Sequence, residues 1–156
     1  MPHDPSHDHD HCIEAALKEA ERLCAEKGLR FTPIRREILK MIWSNHKAVK
    51  AYDLLDRIAT ESPVGSAKPP TVYRALDFLM NEGFVHKIES LNAYIGCPHP
   101  GTNHLSQFLI CDACSDVVEV NISAIEENIK IVSNDNGFQV RGQTIEVHGL
   151  CRDCSG

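Results

Sequence analysis

At 156 residues and a formal net charge of −6, the chain has room for one domain or two small ones. No apolar run near the N-terminus suits a signal peptide and none elsewhere would span a bilayer, so a cytoplasmic chain with no membrane partner is expected. Thiols stay reduced in that compartment, and seven cysteines then point to metal rather than to disulfides.

The charge is unevenly spread. Residues 1–27 hold 3 basic and 7 acidic side chains (−4), residues 28–90 hold 10 and 7 (+3), and residues 91–156 hold 3 and 8 (−5). A modest positive surplus therefore collects in the middle of the chain, and this local balance matters for contact with phosphate.

Residues 1–12, MPHDPSHDHDHC, are polar and contain two prolines, which predicts a disordered tail. His3, His7, His9, His11 and Cys12 with Asp4, Asp8 and Asp10 could hold divalent metal loosely, or serve no purpose at all. From Ile13, the spacing of Ile13, Leu17, Ala20 and Cys24 predicts a first helix ending near Gly28. Thr32-Pro33 opens a second helix, with a capping residue followed by proline at the first position. Its apolar face is Ile34, Ile38, Met41 and Ile42, and Arg30, Arg35, Arg36 and Lys40 surround it. Ala51, Leu54, Leu55 and Ile58 make a third helix with Tyr52 near its start, and a loop follows from Glu61 to Lys68.

The stretch from Lys68 to Lys87 organises this half of the chain. Pro69 and Pro70 cannot continue a helix from upstream, and Thr71 can cap the one that follows. Val72, Leu76, Leu79 and Met80 would face a core, with Gly83 suited to the terminating turn. Tyr73, Arg74 and Asp77 are left outside, so the first turn offers Thr71, Tyr73 and Arg74 to a DNA major groove. An ordinary amphipathic helix would show the same pattern. Two short strands follow, Phe84 to Glu89 and Asn92 to Ile95, and a helix followed by a hairpin is the order of a winged helix. Residues 13–95 are thus expected to form a winged-helix DNA-binding domain.

Residues 96–104 are a Pro/Gly-rich link, taken as a hinge. Residues 105–156 predict a second small domain. Phe108–Ile110 and Val117–Val120 are strand-like, and Ile122, Ile125, Ile129 and Val132 are the stripe of a helix ending at Gly137. Phe138–Val140 and Thr144–His148 add two more strands. So short a unit has a thin core and needs staples or a partner, and its isoleucine stripe and edge strands would suit a dimer interface. The expected fold is α+β: a winged helix-turn-helix domain, then a small α/β dimerisation domain.

The staple is legible. Cys111-Asp112-Ala113-Cys114 and Cys151-Arg152-Asp153-Cys154 are two Cys-x-x-Cys knuckles with 36 residues between them, a set that converges readily on one tetrahedral Zn²⁺. A redox dithiol would prefer a single motif at a helix N-terminus. A second set, His86, Cys97, His104 and Glu119, brackets the hinge, with His99 and His148 as spare candidates. Metal held there would fix the angle between the domains, and mixed sulfur, nitrogen and oxygen donors favour zinc over iron or manganese.

Pro70-Thr71-Val72-Tyr73-Arg74-Ala75-Leu76, Gly83-Phe84-Val85-His86 and the two knuckles together resemble the ferric uptake regulator family over roughly residues 15–154. Ala51-Tyr52-Asp53-Leu54-Leu55, Lys68-Pro69-Pro70, Ala75-Leu76-Asp77-Phe78-Leu79 and His148-Gly149-Leu150-Cys151 resemble its zinc uptake regulator branch. The resemblance implies a homodimer that binds double-stranded operator DNA and represses zinc-uptake genes when zinc is plentiful. It further implies one structural and one regulatory zinc ion per subunit, a regulatory site at His86, Cys97, His104 and Glu119, and base-reading positions at Tyr52 and Arg74. Where iron-sensing relatives carry a His-His-Asp-His run, this chain has Leu105-Ser106-Gln107-Phe108, which argues against iron sensing. An iron, manganese or peroxide sensor on the same scaffold is the alternative. A zinc enzyme such as a nucleobase deaminase is a further one, but His86-Lys87-Ile88-Glu89 lacks the His-x-Glu spacing and Ile110 stands where a proline precedes the knuckle.

Overall fold

A computed structural model describes residues 8–44, 47–63, 65, 67–102 and 104–156. The chain divides into two compact units, Met1–Thr102 and Asn103–Gly156.

In the first unit, helix α1 spans His9–Lys27, so it begins four residues ahead of the expected Ile13. The cause is Asp8, whose Oδ1 accepts the N–H groups of Asp10 (3.1 Å) and His11 (3.4 Å), satisfying two donors that a helix start leaves open. The disordered tail expected over 1–12 is therefore corrected at its C-terminal end, while His3, Asp4 and His7 lie outside the described residues. Gly28, at φ 67°, closes α1, with the Leu29 N–H donating to the Cys24 carbonyl at 2.8 Å.

Helix α2 (Pro33–Trp43) buries Ile38, Leu39, Met41 and Ile42. Its C-terminal carbonyls receive Arg57 from helix α3 (Ala51–Glu61), whose Nη1 donates to the Met41 carbonyl at 3.3 Å. Helix α4 (Pro69–Asn81) corrects the expected cap. Lys68, not Thr71, is the N-cap; Pro69 and Pro70 fill the first two helical positions, where a missing N–H costs nothing. Val72, Ala75, Leu76 and Leu79 are buried, and Gly83 at φ 77° turns the chain into the hairpin.

The hairpin pairs β2 (Val85–Ile88) with β3 (Ala93–Gly96) antiparallel, from Val85↔Gly96 to Ile88↔Ala93. A 3₁₀ turn, Glu89–Leu91, and Asn92 in the left-handed region connect them. A two-residue strand, β1 (Val49–Lys50), pairs with the other side of β3. It was not foreseen, because two residues carry no periodicity. One buried cluster joins α1–α4 to this sheet, running from Leu17 through Ile38, Leu54 and Leu76 to Tyr94.

The second unit is a three-stranded sheet in the order β5-β4-β6 with one helix. Strand β4 (Ser106–Cys111) pairs antiparallel with β5 (Val117–Val120) and parallel with β6 (Thr144–Gly149). Helix α5 (Ser123–Asp135) makes the crossover between β5 and β6. The strand expected at Phe138–Val140 does not form. The Phe138 N–H instead donates to the Ser133 carbonyl (2.7 Å) in the turn closing α5, and these residues stay exposed, Phe138 by 65%. No residue of α5 is fully buried, and Ile131 (58%), Val132 (59%), Val147 (51%) and Leu109 (46%) also face outward. Among the described residues, no helix is long and apolar enough to cross a membrane.

Candidate metal centres and nucleic-acid interface

The register of the second sheet brings the two cysteine knuckles together. Parallel pairing of β4 with β6 sets Cys111 opposite Gly149, two residues before Cys151. The Asp112 N–H donates to the Gly149 carbonyl (2.8 Å) and the Cys111 N–H to the Asp116 carbonyl (2.9 Å), which folds the first knuckle. Ser115, at φ 59°, reverses the chain behind Cys114. The second knuckle is a matching turn in which the Cys154 and Ser155 N–H groups donate to the Cys151 carbonyl.

The ligand atoms of Cys111, Cys114, Cys151 and Cys154 all lie within 4.8 Å of one another. The Cys114 and Cys151 sulfurs stand 3.8 Å apart. A tetrahedral zinc–thiolate centre with bonds of about 2.3 Å has sulfur–sulfur edges of about 3.8 Å, so the spacing fits. The electrostatics fit as well. The Cys111 thiol is drawn down to about 6, chiefly by the Cys151 backbone N–H donating to its sulfur (3.3 Å), with the Cys114 backbone adding to this. The Cys154 thiol is pushed up to about 12 by the crowding sulfurs, that of Cys151 first. Four clustered sulfurs cannot all ionise alone, and a divalent cation removes the conflict. His148 Nδ1 contacts Asp112 Oδ1 at 2.9 Å, so this spare candidate ties the sixth strand to the first knuckle and lies outside the sulfur set. Its partner Asp112 was not foreseen, since nothing in the spacing singles out the aspartate between two cysteines.

The proposed regulatory ligands belong half to each unit. In the first, His86 sits on β2 opposite Ile95, and the Cys97 N–H just past β3 donates to the Phe84 carbonyl at 2.9 Å. Cys97 is 2% exposed. In the second, His104 Nε2 and Glu119 Oε1 are 2.8 Å apart, both largely buried. His99 is exposed, and its carbonyl accepts the Thr102 hydroxyl at 2.8 Å.

On the first unit, the helical stripes that fill the core turn Tyr52, Thr71, Tyr73 and Arg74 outward. Tyr52 is 77% exposed and Tyr73 45%. Thr71 and Arg74 are exposed, and Arg74 Nε donates to the Pro70 carbonyl at 3.3 Å. A phenol left 77% in water beside the buried stripe of its helix contributes nothing to the core and is available to a partner. Thr71 and Arg74 also line a cavity with Thr32 and Arg35 of α2, which the spacing of residues did not reveal.

Known proteins resemble this chain throughout. The model of the Ferric uptake regulator family matches residues 26–148. The zinc uptake regulation protein of Escherichia coli K12 is 44% identical over 139 residues, 88% of this chain and 80% of that protein. A zinc uptake regulator solved in complex with zinc and DNA superposes with a TM-score of 0.86 at 42% identity, covering 92% of this chain and 95% of the other. The holo form of XcZur gives 0.82 at 46% identity, covering 90% and 97%.

Proposed function

This chain belongs to the ferric uptake regulator family, and from that premise we propose that it is a zinc-responsive transcriptional repressor. On this reading it binds double-stranded operator DNA as a zinc-loaded homodimer in the cytoplasm and represses zinc-uptake genes. The observation that carries the reading is its likeness, over nearly the full length, to a regulator solved with zinc and DNA. Its own side chains are consistent with both halves of that description: a four-sulfur cluster of zinc dimensions, and two helix starts that expose Tyr52 on α3 and Tyr73 with Arg74 on α4.

Cys111, Cys114, Cys151 and Cys154 hold the structural ion, which closes the thin second unit. Four thiolates fill a tetrahedral shell and leave no position for substrate, so this ion serves structure and not turnover. His86 and Cys97 from the reader unit, with His104 and Glu119 from the second unit, hold the regulatory Zn²⁺. Ligands drawn from both units restrain the hinge at residues 96–104, so metal occupancy and DNA affinity become coupled. Tyr52 and Arg74 read base edges, while Thr71 and Tyr73 complete the contact surface. Copies pair through the apolar side chains that the second unit leaves exposed, Leu109, Ile131, Val132, Phe138 and Val147.

The test is to strip the protein with chelator and retitrate DNA binding with Zn²⁺, Fe²⁺ and Mn²⁺ at buffered free concentrations. Zinc restores binding at the lowest free concentration if the reading holds. Restoration by Fe²⁺ or Mn²⁺ alone would transfer the chain to another sensing class of the family, which Cys97 and the Leu105–Phe108 segment speak against.

A further inference from the structure

Strand β3 ends on a glycine, Gly96, one residue before Cys97. Its backbone lies outside the left-handed region, so conformation does not ask for glycine there, and strands disfavour it. Space does ask for it. A Cβ added to Gly96 would stand 2.3 Å from Trp43 Cε2, 2.4 Å from Nε1 and 2.8 Å from Cζ2. The edge of the indole therefore rests on the Gly96 backbone, in a place that no side chain at 96 would leave open.

The two faces of the hairpin carry different tasks. Val85 stands opposite Gly96 in the register, and Val85 and Tyr94 belong to the buried cluster against which Trp43 packs. Alternation turns His86 and Ile95 to the reverse face, and Cys97 follows Ile95 two residues on. His86 and Cys97 accordingly offer ligand atoms within 4.8 Å of each other. Trp43 thus supports, from behind, the strand end that delivers Cys97. The segment beyond is tied to the same unit. The Cys97 N–H donates to the Phe84 carbonyl at 2.9 Å, and a Cβ on Gly101 would meet Leu23 of α1 at 3.1 Å. Trp43 is the last residue of α2, whose Ile38, Leu39 and Ile42 share the buried cluster with Leu76 and Leu79 of α4. One helix therefore connects the backing of Cys97 to the reader helix.

We propose that Trp43 is a positioning residue of the regulatory site: the indole, seated on Gly96, sets where strand β3 presents the Cys97 sulfur to zinc. It acts through Cys97 and supplies no ligand atom of its own. The proposal rests on the reading of Cys97 as a regulatory ligand. Because Trp43 is the single tryptophan of the chain, a shift of Cys97 on binding metal is reported by its fluorescence.

The test compares parent, Gly96→Ala, Trp43→Leu and the double variant, each melted to establish that it folds and each retaining zinc at the four cysteines. Operator binding is titrated with buffered free zinc on a duplex selected from a random library by the zinc-loaded parent. Co²⁺ is then added to protein whose regulatory site has been emptied with a weak chelator. Its thiolate-to-metal charge-transfer band, in a ligand set with one sulfur, reports Cys97 alone. A methyl at 96 forces the ring or the strand to move. We expect Gly96→Ala to raise the half-saturating free zinc about tenfold and to weaken the cobalt band, with operator affinity at saturating zinc unchanged. Trp43→Leu withdraws the support and raises the midpoint about threefold, and the double variant does no worse than Trp43→Leu because the clash is gone. In the parent, zinc shifts the Trp43 emission with the same midpoint as operator binding. If Gly96→Ala keeps the parent's midpoint and band, or loses affinity equally at saturating zinc, the indole serves packing alone and the positioning role is overturned while the regulator reading stands. A double variant as impaired as Gly96→Ala overturns it too, since the ring is then not what the methyl disturbs. Should Gly96→Ala not fold, Trp43→Leu decides alone, and an unchanged midpoint and band overturn the role. A parent without the cobalt band removes Cys97 from the ligand set and the positioning role with it. If operator binding by the parent does not depend on zinc, the regulator reading fails and the role of Trp43 fails with it.

Discussion

Arg74 illustrates how one residue's neighbours define its task. It stands on the exposed side of α4, between Val72 and Ala75 of the buried stripe in the chain, and its Nε donates a long bond to the Pro70 carbonyl (3.3 Å). The terminal guanidinium nitrogens are the geometry that reads guanine or grips phosphate. We predict that Arg74→Ala weakens specific operator binding by ~1–3 kcal/mol, as expected for a bidentate base contact, and relaxes preference at one position per half-site. Tyr52→Ala should also reduce specificity, while both variants keep the parent's melting temperature, because neither side chain fills the core. Quantitative footprinting on parent and variant sequences checks this; an unchanged footprint for both would remove α4 and α3 from the assigned contact. Arg74 was legible because the apolar stripe of α4 leaves it on the outer face, and Tyr52 through the resemblance to the family's base-reading positions. Thr32 and Arg35 were not: they lie some forty residues from α4 in the chain, and only tertiary packing brings them beside Thr71.

Among the elements, the junction between α4 and the hairpin is the most sensitive to backbone chemistry. Gly83 holds φ at 77°, with its N–H donating to the Met80 carbonyl (3.0 Å) and the Phe84 N–H to that of Leu79 (2.9 Å). A Cβ added there meets nothing within 4 Å, so substitution costs conformation and not space. Gly83→Ala should lower stability by about 1–2 kcal/mol, the penalty of a left-handed residue bearing a side chain, with zinc content unchanged. Denaturant titration with metal analysis measures both. The same physics decides which elements could be read in advance. Four helices of the first unit follow from apolar residues at helical spacing, because burying one stripe is what makes a helix stable in a protein. The start of α1 was missed because Asp8 lies in a His/Asp run whose composition resembles solvated chain, although one aspartate suffices to cap. Phe138–Val140 was misread in the opposite sense. Its residues favour strands, but the Phe138 N–H is used on the Ser133 carbonyl in the turn that closes α5, and the three side chains stay exposed with no face to pack on.

For the whole molecule, the decisive distinction is between metal that builds a unit and metal that biases one. The second unit buries few large side chains, Phe108, Ile110 and Val117 among them, and its helix has no fully buried residue. Apparent zinc affinities of structural sites reach about 10–16 kcal/mol, which equals or exceeds the whole stability of a typical domain. Removing one sulfur by Cys111→Ser should therefore give a poorly folded or monomeric protein that added zinc does not rescue, whereas exhaustive chelation of the parent should loosen the same unit only until zinc is returned. The set at His86, Cys97, His104 and Glu119 was legible only as residue types flanking a Pro/Gly-rich link, whereas the knuckles announce themselves by spacing alone. If that set senses zinc, its variants must fail in another way. Cys97→Ser and His104→Ala should remain folded dimers retaining zinc at the four cysteines, yet need at least tenfold more free zinc to bind operator, a coupling of 1.4 kcal/mol or more. The comparison requires retained zinc, mass in solution and operator binding against buffered free zinc for each variant. A Cys97→Ser protein that responds to zinc as the parent does is not missing a sensor ligand, and the preference for zinc over iron would lose its sulfur argument. A Cys97→Ser protein that loses the dimer would instead show that building and sensing are not divided between the two sets, because a ligand that only biases the hinge has no part in holding the second unit together.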